Sequence, residues 1–229
     1  MFLLLLHTMR LTHTFTDSDT YYLLCDEVSR AHLEKATLCK GITFITIPKP
    51  TTHLSGMLYK YKLHTLVNIQ NKDCCYLDVD LLSTRSIKIF PRPDTLLVLP
   101  EGRKDDSNYC PDNCELDVPY GCSAGFFAFN FGSKVKAFFE RVIQYAEEDK
   151  KQYYTIEQVF FNKALRMKEI TIMEPHIVSF NANNYIDKCF FISYAGEPGD
   201  GKFHWEKGSA LYYKLCGGTI DSKKRQKTS

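Results

Sequence analysis

Apolar residues in the first hundred positions occur in short runs separated by segments with helical spacing. Buried strands are predicted for the runs at residues 2–7, 42–47 and 74–77, and one further apolar run covers residues 21–25. Two helices are predicted where apolar side chains recur on one face, at residues 28–38 and 54–68. Strands that alternate with helices indicate a mostly parallel sheet covered by helices, so the predicted fold class is α/β.

The second half combines clear elements with a long polar segment. Strands are predicted at residues 95–99, 125–131, 170–173 and 189–192, and helices at residues 134–148 and 155–165. The first of these helices has an apolar face formed by Val135, Phe138, Phe139, Val142 and Ala146. Residues 102–117 are polar and predict an irregular loop, and a loop of that length in a compact domain is usually functional or mobile.

Composition and charge narrow the class of protein. The chain has 229 residues, 44% of them hydrophobic, which is typical of one globular domain or two small ones. Lys and Arg total 29 and Asp and Glu total 27, so the formal net charge is +2. This balance excludes a nucleic-acid binder that is strongly basic as a whole, and it excludes an acidic solvating tail protein.

The nine cysteines indicate a reducing compartment. Their number is odd and many lie in apolar runs, where a free cysteine behaves as a small buried apolar side chain. We therefore expect a cytoplasmic protein. Cys110 and Cys114 lie close enough to suggest zinc, but a structural zinc site takes four ligands and the sequence places no second pair convincingly. Two free thiols in a loop are the expected state.

The sequence predicts no transmembrane segment. The apolar run that begins at Phe2 stops at His7, whereas a transmembrane helix needs about 20 apolar residues and a signal peptide about 7–15 with a cleavage site. A buried first strand fits this run better. The basic residues at 223–227 are expected to belong to a flexible, solvated tail that covers residues 217–229.

The segment with the clearest chemistry is residues 76–82, Tyr-Leu-Asp-Val-Asp-Leu-Leu. Asp78 and Asp80 follow a buried strand with the same side-chain parity, so both can face one site beyond the carboxyl end of the sheet. Two carboxylates at one site repel each other unless a cation lies between them. A divalent ion completed by substrate phosphates would satisfy them and would neutralise a diphosphate leaving group.

A simple turn is the alternative, because Asp-x-Asp after a strand also occurs in ordinary turns. The apolar flanks at residues 74–77 and 79–82 favour the metal site, since an unpaired charge within so apolar a stretch is costly.

Four stretches resemble the nucleotide-sugar-dependent glycosyltransferases of the GT-A fold, nearest to the glycogenin-like branch of galactosyl- and glucosyltransferases. The four stretches are residues 61–64 with 75–80, residues 122–130, residues 155–162 and residues 203–208. They follow the family's order over roughly residues 55–210. A compact chain rich in Cys and Tyr also resembles the glycosyltransferases of large DNA viruses of algae, which decorate a capsid glycoprotein in the host cytoplasm.

The resemblance implies a single GT-A domain over residues 1–216, with a nucleotide-binding half up to about residue 100 and a sugar- and acceptor-binding half at residues 101–216. Its central sheet would be Rossmann-like, mostly parallel and flanked by helices, with a small mixed sheet near the active site. The implied activity is metal-dependent transfer of a hexose or deoxyhexose from a UDP-sugar to a glycan or glycoprotein, with retention of configuration. No nucleic-acid partner is implied.

The resemblance also implies roles for individual residues. Mn²⁺ or Mg²⁺ would be held by Asp80, Asp78 and His204, and the imidazole nitrogen slightly favours Mn²⁺. The donor and its nucleotide would be bound by His7, Thr8, Lys62, Asp78, Val79, Asp80, Ser123, Ala124, Gly125 and Lys207. Of Glu157 and Gln158, one would bind the hydroxyls of the donor sugar and the other would lie near the reacting carbon.

Several of these residues also have a purely structural interpretation. Asp78 can be a strand-end cap, Lys62 can lie on the polar face of its helix, and Glu157 in a first helical turn favours the helix dipole. The family's Asn and Ser are replaced by Ser123 and Ala124, which leaves the donor sugar open. The family's first helix after the first strand is largely lost, and Glu101 is a spare acidic candidate.

Two other functions compete with glycosyl transfer. A nucleotidyltransferase also uses two carboxylates and a metal on an α/β sheet, but residues 7–11 lack the Gly-rich loop that it would need after the first strand. A catalytically inactive GT-A-like domain would bind a glycan or a protein. The set of Asp78, Asp80, His204 and Lys207 argues against inactivity.

Overall fold

The computed structural model describes residues 2–100, 121–149, 157–173, 177–179 and 191–193. Its helices are α1 (Phe2–Leu11), α2 (Glu27–Leu33), α3 (His53–Met57), α4 (Leu63–Leu66), α5 (Ser133–Glu148) and α6 (Gln158–Ala164). Its strands are β1 (Tyr21–Cys25), β2 (Ile42–Thr46), β3 (Asp73–Leu77), β4 (Leu81–Ser83), β5 (Leu96–Pro100), β6 (Cys122–Asn130), β7 (Ile170–Ile172), β8 (Val178–Ser179) and β9 (Phe191–Ser193). Short 3-10 helices cover Thr37–Cys39, Leu58–Lys62 and Met167–Glu169.

The chain divides into two compact units built from interleaved segments. The smaller unit contains Met1–Asp19, Val79–Ile87 and Val178–Ser229, and the larger unit contains Thr20–Asp78 and Lys88–Ile177. The single domain expected over residues 1–216 stays a prediction.

Two sheets lie in the larger unit. Strands β1 and β2 form a parallel pair, and a four-stranded sheet has the order β3-β6-β5-β7. Strand β6 is antiparallel to both β3 and β5, whereas β7 is parallel to β5. The predicted α/β class is confirmed, but the four-stranded sheet is mixed rather than mostly parallel. Apolar patterning does not encode strand direction, because a buried strand has the same apolar side chains in either orientation.

Helix α5 supplies much of the core of the larger unit. The five side chains predicted to face inward are all buried, with exposures between 0% and 7%. They pack among aromatic rings whose members are Tyr61, Phe127, Phe129, Phe131, Phe138, Phe139 and Phe161. The helix prediction is confirmed because its apolar stripe runs over four turns, which is long enough to identify the period.

The start of α5 depends on a residue from a distant loop. Asp94 accepts hydrogen bonds from the backbone N–H groups of Lys134 and Val135, at 2.9 and 3.1 Å, and one from the Ser133 hydroxyl at 3.1 Å. Gly132 makes this approach possible, because a Cβ atom there would lie 2.4 Å from the Asp94 Cγ atom. The helix terminus is therefore capped by tertiary contact rather than by its own sequence.

The smaller unit contains α1 and a three-stranded sheet of order β4-β9-β8. The strand predicted at residues 2–7 is wrong, because these residues belong to α1. A short apolar run does not distinguish a buried strand from a buried helix, and this run is rich in leucine, a strong helix former. The buried residues Leu5, Leu6 and Met9 have helical spacing.

The predicted nucleotide contacts of His7 and Thr8 therefore lose their structural basis, since no strand ends there. Thr8 is only 2% exposed. Its hydroxyl donates to the Leu5 carbonyl at 2.9 Å and accepts from the Ser83 backbone N–H at 3.0 Å. It thus joins α1 to β4 within the smaller unit.

The single helix predicted at residues 54–68 is divided into three short segments. Helix α3 begins at a capping box formed by Thr52 and Ser55, a 3-10 helix follows at Leu58–Lys62, and α4 ends the segment. The 3-10 helix buries Leu58, Lys60 and Tyr61.

The described cysteines and helices bear on two further predictions. Free thiols are found at Cys25, Cys39, Cys74, Cys75 and Cys122, whereas Cys110 and Cys114 lie outside the described residues. Within the ranges that the structure describes, no helix has the length and apolar character needed to cross a membrane. The cytoplasmic location stays a prediction.

His64 on α4 makes the stability of the larger unit sensitive to pH. Its ring stacks on Phe131 with centroids 5.2 Å apart, and its Nδ1 atom is buried without a hydrogen-bond partner among the described residues. Desolvation lowers the pKa of His64; the nearby Glu140 carboxylate acts against this and the Lys136 ammonium group adds to it. The folded protein therefore binds a proton at His64 less readily than the unfolded chain does.

We expect stability to fall as the pH drops below the ordinary histidine pKa of about 6.5. Thermal unfolding of the His64→Gln variant between about pH 5 and 7.5 should show a weaker pH dependence than the wild type. The same change at the exposed His32 is the control and should leave the dependence as it is. An unaltered dependence in His64→Gln would contradict this assignment.

Candidate active site

A buried lysine joins three segments of the larger unit. Lys60 is 2% exposed, and its Nζ atom lies 2.6 Å from the Glu157 Oε1 atom. It also donates to the Ala124 carbonyl at 2.8 Å and lies 3.8 Å from the Asp78 Oδ1 atom. A buried ammonium group is tolerated only when it is paired and hydrogen bonded. The single charge of Lys60 therefore contacts the end of β3, the first part of β6 and the start of α6.

The rings of two tyrosines lie close to the Lys60 ammonium group. The Lys60 Nζ atom lies 4.8 Å from the ring centroid of Tyr76 and 5.8 Å from that of Tyr61. Burial raises the pKa of both phenols well above the ordinary tyrosine value. The neighbouring carboxylates of Asp78 and Glu157 raise it further. Both hydroxyl groups therefore stay protonated and can only act as neutral donors or acceptors.

Asp78 follows β3 and is held from several directions. Its backbone N–H donates to the Gly125 carbonyl at 2.9 Å, which extends the pairing with β6. Its Oδ1 atom accepts a hydrogen bond of 2.5 Å from the Tyr76 hydroxyl. Its Oδ2 atom faces Gly125, where a Cβ atom would lie only 2.8 Å away. The absence of a side chain at Gly125 therefore permits the close approach of this oxygen.

Side chains of α6 fix the first part of β6. Gln158 accepts a hydrogen bond from the Ala124 N–H at 3.2 Å through its Oε1 atom. Asn162, which is fully buried, accepts from the Cys122 N–H at 2.6 Å and donates to the Cys122 carbonyl at 3.0 Å. Backbone groups here are thus bound by amide side chains, which positions the small residues of β6.

The structure brings together six of the predicted site residues. The contacts above link Asp78, Ser123, Ala124, Gly125, Glu157 and Gln158 within the larger unit. The Ser123 hydroxyl accepts a hydrogen bond from the Gly125 N–H at 3.2 Å, and Ser123 is buried. Neither Ser123 nor Ala124 therefore presents a large polar group.

Most of the other predicted site residues fall in the smaller unit or outside the described ranges. His7, Thr8, Val79 and Asp80 belong to the smaller unit. His204, Lys207 and Glu101 lie outside the described residues.

The phosphate-binding lysine predicted at position 62 is not the lysine that contacts the acidic residues. Lys62 is partly exposed and its ammonium group lies 5.9 Å from the ring of Tyr59. The lysine beside Asp78 and Glu157 is Lys60, which the sequence analysis missed. A signal was present, because Lys60 stands between the apolar residues Leu58 and Tyr61 and a charge there requires a partner.

Tyr76 was also missed as a site residue. It lies two positions before Asp78, so the two side chains leave the strand on the same side. Side-chain parity, which places Asp78 and Asp80 on one side of the extended chain, places Tyr76 on that side as well.

The oxygen ligands that Asp78 and Asp80 can offer suit a hard divalent cation. Carboxylate oxygens are the ligands that Mg²⁺ and Mn²⁺ prefer, and the Asp78 side chain is 28% exposed. The third predicted ligand, His204, is not among the described residues. Within the described ranges, no group of three or more His, Cys, Asp or Glu residues is arranged to hold a metal ion.

Comparison with known proteins places the fold. No protein-family model and no curated protein sequence matches the chain. The galactosyltransferase LgtC, solved with donor and acceptor sugar analogues, is 16% identical, with a TM-score of 0.61 over 93% of this chain and 91% of that one. The fold is that of the GT-A glycosyltransferases.

Two further structures share the GT-A fold with this chain. The glycosyltransferase GlyE of Streptococcus pneumoniae TIGR4 is 13% identical, with a TM-score of 0.57 over 94% of this chain and 60% of that one. A glycosyltransferase involved in glycosylation of the major capsid of PBCV-1 is 10% identical, with a TM-score of 0.53 over 84% of this chain and 98% of that one. The expected GT-A fold is confirmed, and the nearness to the glycogenin-like branch stays a prediction.

Proposed function

We propose that this GT-A protein is a metal-dependent glycosyltransferase. It transfers a hexose or deoxyhexose from a UDP-sugar to a glycan or glycoprotein acceptor with retention of configuration. The observation that carries the proposal is the cluster of the buried Lys60 and Glu157 with the partly buried Asp78, at the end of a strand in a fold shared with known glycosyltransferases. Buried charges cost free energy, and such clusters are concentrated at functional sites.

Asp78 and Asp80 are the residues that would hold Mn²⁺ or Mg²⁺, supported by their spacing in the sequence and by the partial exposure of the Asp78 side chain. The bound ion would supply Lewis-acid stabilisation of the diphosphate leaving group. The Lys60 ammonium group lies 2.6 Å from a Glu157 oxygen and 3.8 Å from an Asp78 oxygen, so its charge attracts both carboxylates and holds them in place.

The pairing of Glu157 supports a retaining reaction. Its carboxylate is 6% exposed and lies 2.6 Å from the Lys60 ammonium group, so taking up an acceptor proton would break a buried ion pair. An inverting enzyme needs a carboxylate base, whereas in a retaining enzyme the leaving phosphate can take the proton. Glu157 and Gln158 would then orient the donor sugar and stabilise the positive charge that develops on it.

We expect the Glu157→Gln variant to keep measurable activity, with kcat lowered about tenfold to a hundredfold by the loss of the ion pair. The anomeric configuration of the product, followed by NMR, should match that of the donor in both enzymes. Glu147→Gln on the exposed face of α5 is the matched control. An inverted product, or a dead Glu157→Gln variant that azide or formate rescues, would show that Glu157 acts as a base or nucleophile.

The experiment that tests the function is a donor screen on the full chain. UDP-glucose, UDP-galactose, other UDP-sugars and GDP-sugars are compared for a thermal shift and for nucleotide release in Mn²⁺ and in EDTA. Release of UDP that requires Mn²⁺ supports the proposal, and tighter inhibition by GDP than by UDP would contradict the choice of base. Release of pyrophosphate would indicate a nucleotidyltransferase, and a thermal shift without turnover would indicate an inactive binding domain.

A further inference from the structure

The structure points to a positioning residue that no motif indicates. We propose that Tyr76 sets the orientation of the Asp78 carboxylate by holding its Oδ1 atom in place. The inference rests on the proposed function, because it concerns how that site is prepared for a donor.

The contact is direct and comes from a fixed position. Tyr76 and Asp78 extend from the same side of β3 and its continuation, and the phenol donates a hydrogen bond of 2.5 Å to the Oδ1 atom. The Lys60 ammonium group lies on the same oxygen, at 3.8 Å. The phenol therefore donates to Oδ1, and the charge of the ammonium group attracts the same oxygen.

The core of the larger unit holds the Tyr76 ring in place. The ring stacks on Phe127, with centroids 5.1 Å apart and planes inclined by 22°, and Phe127 is fully buried. A hydroxyl group on a packed ring has little freedom, so the position of the donor is set by packing rather than by the ligand.

Contacts on two sides therefore restrain the Asp78 carboxylate. Rotation of the carboxylate would break the hydrogen bond with Tyr76, and the close approach to Gly125 limits movement on the other side. A preorganised carboxylate makes its ligand contact without reorganising during the reaction, which is where such groups contribute to catalysis. Loss of the phenol should consequently act on kcat more than on KM.

The chain offers a matched control for this hydroxyl group. Tyr61 is another phenol in the same aromatic cluster and also stacks on Phe127, at 6.2 Å. Its hydroxyl group is buried and has no hydrogen-bond partner among the described residues. Tyr76→Phe and Tyr61→Phe thus remove the same atom from one cluster, but only the first removes a contact with Asp78.

The variants are compared in the hydrolysis of UDP-glucose and UDP-galactose with Mn²⁺. We expect Tyr76→Phe to lower kcat about tenfold with KM for the donor changed less than about twofold. Tyr61→Phe should leave both constants within about twofold of the wild type and should not lower the Tm, because its hydroxyl group has no hydrogen-bond partner among the described residues. Equal kcat values for Tyr76→Phe and Tyr61→Phe would overturn the inference while leaving the proposed function intact.

A second measurement does not depend on activity. Crystal structures of the two variants should show the Asp78 carboxylate rotated in Tyr76→Phe and unmoved in Tyr61→Phe. An unmoved Asp78 carboxylate in Tyr76→Phe would overturn the positioning role whatever the kinetics. If the wild type turns over no donor but the carboxylate rotates, the proposed function fails and the positioning of Asp78 by Tyr76 stands.

Discussion

Replacement of Lys60 by methionine is expected to abolish donor turnover and to destabilise the protein by about 3–5 kcal/mol. Methionine keeps most of the volume of the side chain but leaves Glu157, which is 6% exposed, without its cation. The uncompensated buried carboxylate is the source of the loss. Urea unfolding measures the change in stability, and release of UDP from the donor measures activity.

Lys62→Met is the matched control for this change. Lys62 lies two residues further on and is partly exposed, so its replacement should alter stability by only about 0.5 kcal/mol. If Lys62 binds the diphosphate as predicted, this variant raises KM for the donor and keeps its stability. Similar stabilities for the two variants would contradict the structural role of Lys60.

A double variant separates the two effects of Lys60. Combining Lys60→Met with Glu157→Gln removes both members of the buried pair, so stability should recover in part relative to Lys60→Met alone. Activity should not recover, because the charges around Asp78 are still missing. Recovery of both would show that Lys60 has a purely structural role.

Asp80→Ala is expected to lower kcat/KM by about a thousandfold, equal to about 4 kcal/mol of transition-state stabilisation. The reason is the loss of the metal ion that would neutralise the diphosphate. EDTA should abolish turnover of the wild type and added Mn²⁺ should restore it. Asp17→Ala, at an exposed position of the smaller unit, is the control and should behave like the wild type.

Two results would contradict the metal assignment. Turnover by Asp80→Ala at nearly the wild-type rate would exclude Asp80 as a ligand, and full activity in excess EDTA would exclude metal dependence itself.

The sequence determined those features that depend on neighbouring residues. Helix α5 carries an apolar stripe over its whole length, and the prediction for residues 134–148 agrees with Ser133–Glu148. Strands β2 and β3 were found because their runs are bounded by polar residues or proline. The order of the four motif stretches likewise indicated the GT-A fold, which the comparison with LgtC supports.

Only the tertiary structure decided which of two locally plausible states is adopted. Residues 2–7 suit a strand or a helix equally, and the burial of Leu5, Leu6 and Met9 in α1 selects the helix. The direction of β6 against β3 and β5 is likewise absent from the apolar pattern, since side chains alternate in the same way in either orientation.

The identity of the site lysine was decided in the same way. Lys60 and Lys62 are alike in the sequence, but the 3-10 helix at Leu58–Lys62 turns Lys60 inward to Glu157 and leaves Lys62 partly exposed. Local sequence specifies periodicity, whereas the partner of a buried charge comes from a segment far along the chain. That partner becomes known only once the chain has folded, because burial makes the pairing necessary.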